Sequence, residues 1–175
     1  MLVLGATGTT GSVAIRAARA AGAARVVAAG RNRERLAKLE GVVDATVFLG
    51  GDDLAVRLQE ACAPGANVVF DPLWGEPLAA ALTACAPDAR VVHIGATANP
   101  TAELASGLFR GKRLTLMGYT NLAVPHDLLV STYLDLVERS GRGEITLDIE
   151  TVPLQRIAEA WEGTRAGGTK FVVTP

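Results

Sequence analysis

The stretch that most restricts what this chain can fold into is its first one, MLVLGATGTTGSVAIRAARAAGAARVVAAGRNRERLAKL, from Met1 to Leu39. A short apolar run (Leu2, Val3, Leu4) reads as a strand. It passes directly into the loop Gly5-Ala6-Thr7-Gly8-Thr9-Thr10-Gly11. An alanine-rich helix is expected over about Ser12–Ala21, ending near Gly22. A second apolar strand, Arg25–Ala29, then stops at Gly30-Arg31-Asn32. Glycine lets the backbone turn sharply and removes the Cβ that would keep a phosphate from the main chain. The first turn of a helix has unpaired N–H groups and a partial positive charge, which suit an anion. Strand, glycine loop, helix and strand in that order are what a dinucleotide needs.

The loop is an imperfect match to G-x-G-x-x-G: it reads Ala6-x-Gly8-x-x-Gly11, preceded by Gly5. Its context is nevertheless the one the motif requires. Gly11 is expected to bring the helix close to the first strand, as the third glycine of the fingerprint does. A tight strand–helix turn that holds nothing is the plainer alternative.

The end of the second strand bears on the choice of coenzyme. An NAD site usually places Asp or Glu about 20 residues past the glycines, to accept from the ribose 2′-hydroxyl. Here Arg31 stands there, followed by Asn32, Arg33 and Arg35. A guanidinium suits a 2′-phosphate, which a carboxylate would repel. The expectation is NADP(H), with NAD(H) second. The three arginines can also be read as the solvated start of helix 2, with Glu34 as a local partner; that reading is stronger for Arg35 than for Arg31.

At 175 residues the chain is one domain, or one domain with an appendage. A formal charge of −1 and the lack of a long basic run exclude a nucleic-acid footprint. No apolar run reaches the ~18 residues of a membrane span, and no signal peptide is expected ahead of the first strand. Cys62 and Cys85 are far apart, without a CxxC pattern. They read as small buried hydrophobes in a reducing cytosol rather than as metal ligands or a disulfide. Met1 lies inside the first strand, which suggests a fragment or an excised domain.

The rest of the core alternates strand and helix. Helix 1 is small-sided (Ala14, Ala17, Ala18, Ala21), with Arg16 and Arg19 toward water. Helix 2 is expected over Arg33–Leu39 and strand 3 over Ala45–Leu49. Asp52-Asp53 is read as a cap for helix 3, Leu54–Cys62, which Pro64-Gly65 ends. Strand 4 is Asn67–Phe70, an apolar run of the kind buried on both faces, broken by Asp71-Pro72 and Gly75. Helix 4 covers about Glu76–Ala84 and Pro87-Asp88 make a turn. Strand 5 is Arg90–Ile94, helix 5 about Ala102–Phe109 and strand 6 Arg113–Met117. This is an α/β pattern, a doubly wound parallel six-stranded sheet (Rossmann), in the expected order 3-2-1-4-5-6. Ligands of such sheets lie outside the carboxyl ends of the strands. The loops expected there, Gly5–Gly11, Gly30–Asn32, Asp71–Gly75, Gly95–Thr97 and Gly118–Leu122, all carry glycine.

The alternation then stops. A helix is expected over His126–Arg139, a half-buried strand over the alternating Ile145–Val152, a short helix with Leu154, Ile157, Ala158 and Trp161 on one face, and a last strand Lys170–Val173 after Gly167-Gly168. Residues 1–140 thus form the dinucleotide-binding unit, and residues 141–175 a C-terminal strand-helix-strand appendage that needs a partner surface: the face of Ile145, Leu147, Ile149 and Trp161 is expected to be exposed or covered by a neighbouring molecule.

The segments LVLGATGTTGS, RVVAAGRNRERL, VVFDPLWG, VVHIGAT, RLTLMGY and GTKFVVTP together resemble the cofactor-binding portion of medium-chain dehydrogenases/reductases, in the quinone-oxidoreductase and zinc-type alcohol-dehydrogenase branches. The resemblance spans nearly the whole chain. It implies hydride transfer between nicotinamide and a small-molecule carbonyl, quinone or enone. It also implies a separate N-terminal catalytic domain on which the last strands fold, and a homodimer through strand 113–117. By position it implies that Gly8, Thr9, Thr10 and Gly11 contact the pyrophosphate, with Thr9 where the family usually has glycine. It implies that Arg31, beside Asn32, meets the 2′-phosphate, that Gly95, Ala96 and Thr97 line the nicotinamide ribose, and that Gly118, Tyr119 and Thr120 face the nicotinamide end. Lys170, in Gly168-Thr169-Lys170, would close over the phosphates, or be an ordinary strand-end lysine.

No catalytic side chain is assigned. No His, Cys and Glu set supports zinc. Neither Tyr119 nor Tyr133 has Lys four residues on, so the short-chain dehydrogenase acid–base pair is excluded. His93 reads as a buried core histidine, and His126 as a helix-start residue. The opening LVLGATG is also similar to NmrA-type regulators, so a non-catalytic NADP(H) sensor is the alternative, though those proteins lack the closing GTKFVVTP. A fragment that folds and binds nothing well is the third reading.

Overall fold

Leu2–Leu4 forms β1, buried throughout, at the middle of a six-stranded sheet. The structure, a computed structural model, describes residues 1–147, 149–166 and 170–175, with residues 165 and 166 as backbone only. The other strands are β2 (Val27–Gly30), β3 (Ala45–Phe48), β4 (Ala66–Asp71), β5 (Cys85–His93) and β6 (Thr115–Gly118). Between them run α1 (Thr9–Ala20), α2 (Arg33–Ala37), α3 (Leu54–Cys62), α4 (Gly75–Thr83) and α5 (Ser106–Lys112). The order is β3-β2-β1-β4-β5-β6 with every pairing parallel, as expected. The registers Leu2↔Val27 and Leu2↔Val69 put the topological switch point between β1 and β4.

Period-two alternation along the strands divides the core. Leu2, Leu4, Val69 and Val91 face one side, against Leu58 of α3 and Leu78 and Leu82 of α4. Val3, Val26 and Ala28 face the other, against Ile15 and Ala18 of α1. Each fully buried leucine is worth about 1.5–3 kcal/mol of transfer free energy.

Local expectations fail where tertiary contacts take over. Helix α1 begins at Thr9, not Ser12, so Thr9 and Thr10 lie in its first turn. Its buried residues are Gly11, Ile15 and Ala18. Arg16 bonds Ser12 Oγ at 2.6 Å, and Arg19 pairs with Asp44 at 2.5 Å, so neither simply faces water. Asp53 precedes α3 in a left-handed conformation (φ 57°) and its side chain caps nothing. Arg57 instead ties the β3–α3 loop by donating to the carbonyls of Gly50 and Asp52. The expected Pro87-Asp88 turn lies inside the span of β5 as an irregularity, where the pairing moves from Ala66↔Cys85 to Val68↔Arg90. There Asp88 (φ 61°) accepts both arms of Arg113. Within β4, Asn67 is exposed, so that strand is not buried on both faces along its length.

After β6 come a 3-10 turn (Asn121–Ala123) and α6 (His126–Gly141), which has no fully buried residue. Strand β7 (Ile149–Pro153) pairs in parallel with β8 (Lys170–Thr174), connected through a 3-10 turn and α7 (Ile157–Ala166). Ladder pairing begins only at Ile149↔Lys170, so Ile145 lies outside it and is buried, against the expectation of an exposed face. Leu147, Ile149 and Trp161 are exposed, as that expectation required, and so are Leu154 and Ile157. Gly167, Gly168 and Thr169 lie outside the described residues.

Candidate functional site

The β1–α1 loop turns at Gly5, whose φ of +64° lies in the left-handed region that favours glycine. The Ala6 amide donates to the Ala29 carbonyl, and the Gly8 amide donates back to Gly5. Gly8 is the N-cap of α1 with extended backbone; it offers no side chain and there is no acid in the first turn. The amides of Thr9, Thr10 and Gly11 therefore precede the first intrahelical bond. The cradle is bare because of its glycines. A Cβ on Gly11 would lie 2.3 Å from the Gly5 carbonyl oxygen and 2.7 Å from Ala6 Cα. One on Gly30 would meet Thr7 Cγ2 at 2.6 Å, so a side chain at the tip of β2 would have to displace that of Thr7.

A groove of about 450 Å³ opens over this loop, outside the carboxyl ends of the strands. It is lined by Gly8, Thr9, Thr10 and Gly11 of the loop, by Arg31, Asn32 and Arg35 after β2, and by Pro72, Leu73 and Thr97 after β4 and β5. Seven sequence-nominated residues, Gly8, Thr9, Thr10, Gly11, Arg31, Asn32 and Thr97, thus meet in one place. Asn32 Oδ1 is engaged in capping α2, accepting from the Arg35 amide at 2.9 Å. Arg35, read from sequence as a solvated helix residue, is half-buried, and its Nη1 donates to the Thr7 carbonyl at 3.4 Å. It also lines a second groove, of about 440 Å³, with Arg16, Lys38 and the start of β7. The α1 N-terminus and the guanidinium groups of Arg31 and Arg35 make the first groove a positive, anion-seeking site.

The other nominated residues do not line that groove. Gly95 and Ala96 follow β5 beside it; a Cβ on Gly95 would come within 3.3 Å of the Pro72 carbonyl oxygen. Gly118, the last residue of β6, and Tyr119 and Thr120 after it are exposed. The Tyr119 amide is bonded to the His93 carbonyl, and Thr120 Oγ1 accepts from Leu122. Lys170 is exposed at the start of β8, in the separate two-stranded sheet.

Sequence reasoning missed one feature at the β4 and β5 ends. Asp71, read as a strand breaker, is fully buried, and its Oδ2 bonds Nδ1 of His93 at 2.8 Å. His93 is not a core histidine: it closes β5, partly exposed and tilted against the Trp74 ring at 4.3 Å. The signal was an acid ending an apolar run and a histidine ending the next one.

A family model described as zinc-binding dehydrogenase matches residues 9–139. The chain belongs to that family. Among curated proteins it is 25% identical over 191 residues to the probable NADPH-dependent quinone reductase tdiC of Emericella nidulans, covering 100% of this chain and 54% of that one. Among solved structures it resembles the quinone oxidoreductase of Thermus thermophilus, determined also as its NADPH complex, at 26% identity and a TM-score of 0.73. That match covers 94% of this chain and 52% of that one. CurA of Vibrio vulnificus, solved in complex with NADPH, shares the fold at 20% identity and a TM-score of 0.80, over 99% of this chain and 56% of that one. The chain thus spans about half the length of these family relatives. Among the described residues no three His, Cys, Asp or Glu side chains converge to hold a metal ion. No helix among them is long and apolar enough to cross a membrane.

Proposed function

We propose that this chain is the NADP(H)-binding portion of an oxidoreductase acting on a carbonyl, quinone or enone. The observation that carries this reading is the glycine cradle. Three open amides at the α1 N-terminus face a groove that Arg31 and Arg35 also line. The named relatives are NADPH-dependent or bind NADPH, which supports the same coenzyme. Family membership favours an enzyme over the sensor alternative.

In this reading the amides of Thr9, Thr10 and Gly11, next to the bare N-cap Gly8, hold the pyrophosphate. Arg31 with Arg35 selects the 2′-phosphate. Gly95, Ala96 and Thr97 line the nicotinamide ribose, and Gly118, Tyr119 and Thr120 stand at the nicotinamide end. Lys170 closes over the phosphates. The coenzyme supplies hydride chemistry at its nicotinamide ring; the protein supplies orientation and electrostatics. The exposed Leu147, Ile149 and Trp161 belong to a face that packs on an N-terminal catalytic domain, so the substrate pocket lies outside these residues. Strand β6 is an edge strand of the sheet, which supports a homodimer through residues 113–117. We place the protein in the cytoplasm.

The test is a titration of the chain with NADPH and NADH, followed by protein fluorescence. NADPH is expected to bind more tightly than NADH, and Arg31→Ala to remove the preference. No measurable NADPH binding overturns the reading, and an unchanged preference in Arg31→Ala overturns the 2′-phosphate assignment.

A further inference from the structure

Asp71 is the one fully buried charged residue among the described residues. A carboxylate taken from water needs strong compensation. Its Oδ1 accepts the amides of Leu73 (3.0 Å) and Trp74 (2.9 Å), and its Oδ2 lies 2.8 Å from Nδ1 of His93, which donates to an ionised carboxylate when that nitrogen carries the proton. His93 makes no other side-chain hydrogen bond among the described residues, so its ring is set by this carboxylate and by the Trp74 face.

The turn that this carboxylate holds is strained. Trp74 has φ 61° and ψ −167°, a region that is essentially glycine-only, and Gly75 follows at φ +62°. Such a residue persists only where its surroundings over-determine it. The same turn forms one side of the groove. The Pro72 carbonyl accepts both the amide (3.2 Å) and Oγ1 (3.0 Å) of Thr97, and the Leu73 carbonyl accepts the Ala98 amide (2.9 Å). On its other side the turn packs on the glycine loop: a Cβ on Gly5 would touch Pro72 Cγ at 3.1 Å and Leu73 Cδ2 at 3.3 Å. The turn therefore abuts the glycine cradle on one side and the β5 loop on the other, with little free space.

We infer that His93, acting through Asp71, is a positioning residue for the coenzyme groove. It completes the shell of a buried carboxylate that keeps the strained Pro72–Trp74 turn, and with it Thr97, in place. This rests on reading the groove as a coenzyme site, but its first readout does not. In His93→Leu, Asp71 Oδ2 loses its donor and the turn relaxes. Amide exchange at Thr97 and Ala98 is expected to quicken by about tenfold, the ratio set by one hydrogen bond of ordinary strength. His93→Asn, whose amide can donate to the same oxygen, is expected to restore slow exchange. The second readout is affinity. His93→Leu is expected to weaken NADPH and NADH by the same factor, about tenfold, because the pair lies away from Arg31; His93→Asn again restores it. Unchanged exchange at Thr97 and Ala98 in a folded His93→Leu protein overturns the inference, as does a fall in melting temperature with both affinities intact. If the unsubstituted chain binds neither coenzyme, the functional reading fails and the exchange result alone decides the role of His93.

Discussion

Gly8 and Gly11 stand three positions apart in the same loop and should fail for opposite reasons when each is replaced by alanine. In Gly11→Ala the new methyl has no room: the nearest atoms are the Gly5 carbonyl oxygen at 2.3 Å, Ala6 Cα at 2.7 Å and Gly5 C at 2.8 Å, all backbone. Backbone cannot rotate away as a side-chain tip can, so α1 must lift from β1. Overpacking costs about 1–3 kcal/mol, and this case belongs at the upper end. In a chain of 175 residues that lowers the melting temperature by roughly 6–12 °C, at 2–4 °C per kcal/mol. In Gly8→Ala the nearest atom is the Gly5 carbonyl oxygen at 3.4 Å, ordinary contact, and the backbone is extended. The stability cost is the modest one of alanine at an N-cap, below about 1 kcal/mol. Its methyl, however, sits where an anion must approach the open amides. The expected pattern is a destabilised Gly11→Ala and a stable Gly8→Ala whose NADPH affinity falls by at least about tenfold. Thermal unfolding by circular dichroism and NADPH titration read the two effects separately. A Gly8→Ala protein that binds NADPH like the parent would refute the assignment of these amides to the pyrophosphate. A Gly11→Ala protein of unchanged melting temperature would refute the packing argument.

Arg35→Ala should weaken NADPH by about ten- to a hundredfold, as expected for a lost charged hydrogen bond, with NADH changed little; equal losses for both would assign Arg35 to the loop alone. Asp44 accepts the Val26 amide (2.7 Å) and pairs with Arg19, which hold its carboxyl below the ordinary value of 3.8. A depressed folded pKa means its stabilisation is complete above the unfolded value and is lost as pH falls through the folded one. Asp44→Asn should therefore melt lower than the parent at neutral pH, and the gap should narrow as pH falls below 3.8 toward the folded value; a gap that widens in acid would contradict this. Burial pushes the Cys85 thiol up to about 11 and raises that of Cys62. Both should resist iodoacetamide at pH 8 until urea unfolds the chain, and labelling faster than unfolding would show that they are not sealed in the core.

Much of the fold was readable because its signals are local. Leu2–Leu4, the glycine loop and the return to Val27 specify a strand, a cradle and a parallel neighbour with no knowledge of the rest. Six alternating periods then leave few sheet orders open. Arg31 was legible for a similar reason: the end of a strand beside a glycine cradle is a fixed place in such a sheet. Arg35 was not, because on α2 it resembles any exposed helix arginine until the β1–α1 loop is laid against it. Asp52-Asp53 misled because an acid before a helix is a general cap signal, and the loop took a left-handed path instead.

Sequence by itself thus determined the element types, their order and the glycine turn ahead of α1, since hydrophobic period, glycine and the helix terminus act over a few residues. Only the tertiary structure decided what meets across the sheet. Asp71 and His93 stand 22 positions apart, and nothing local joins them. They become partners because β4 and β5 pair in the register Asp71↔His93, which sets both side chains on one face at the strand ends. A carboxylate there, sealed from water, must then find its hydrogen-bond donors in the turn above it.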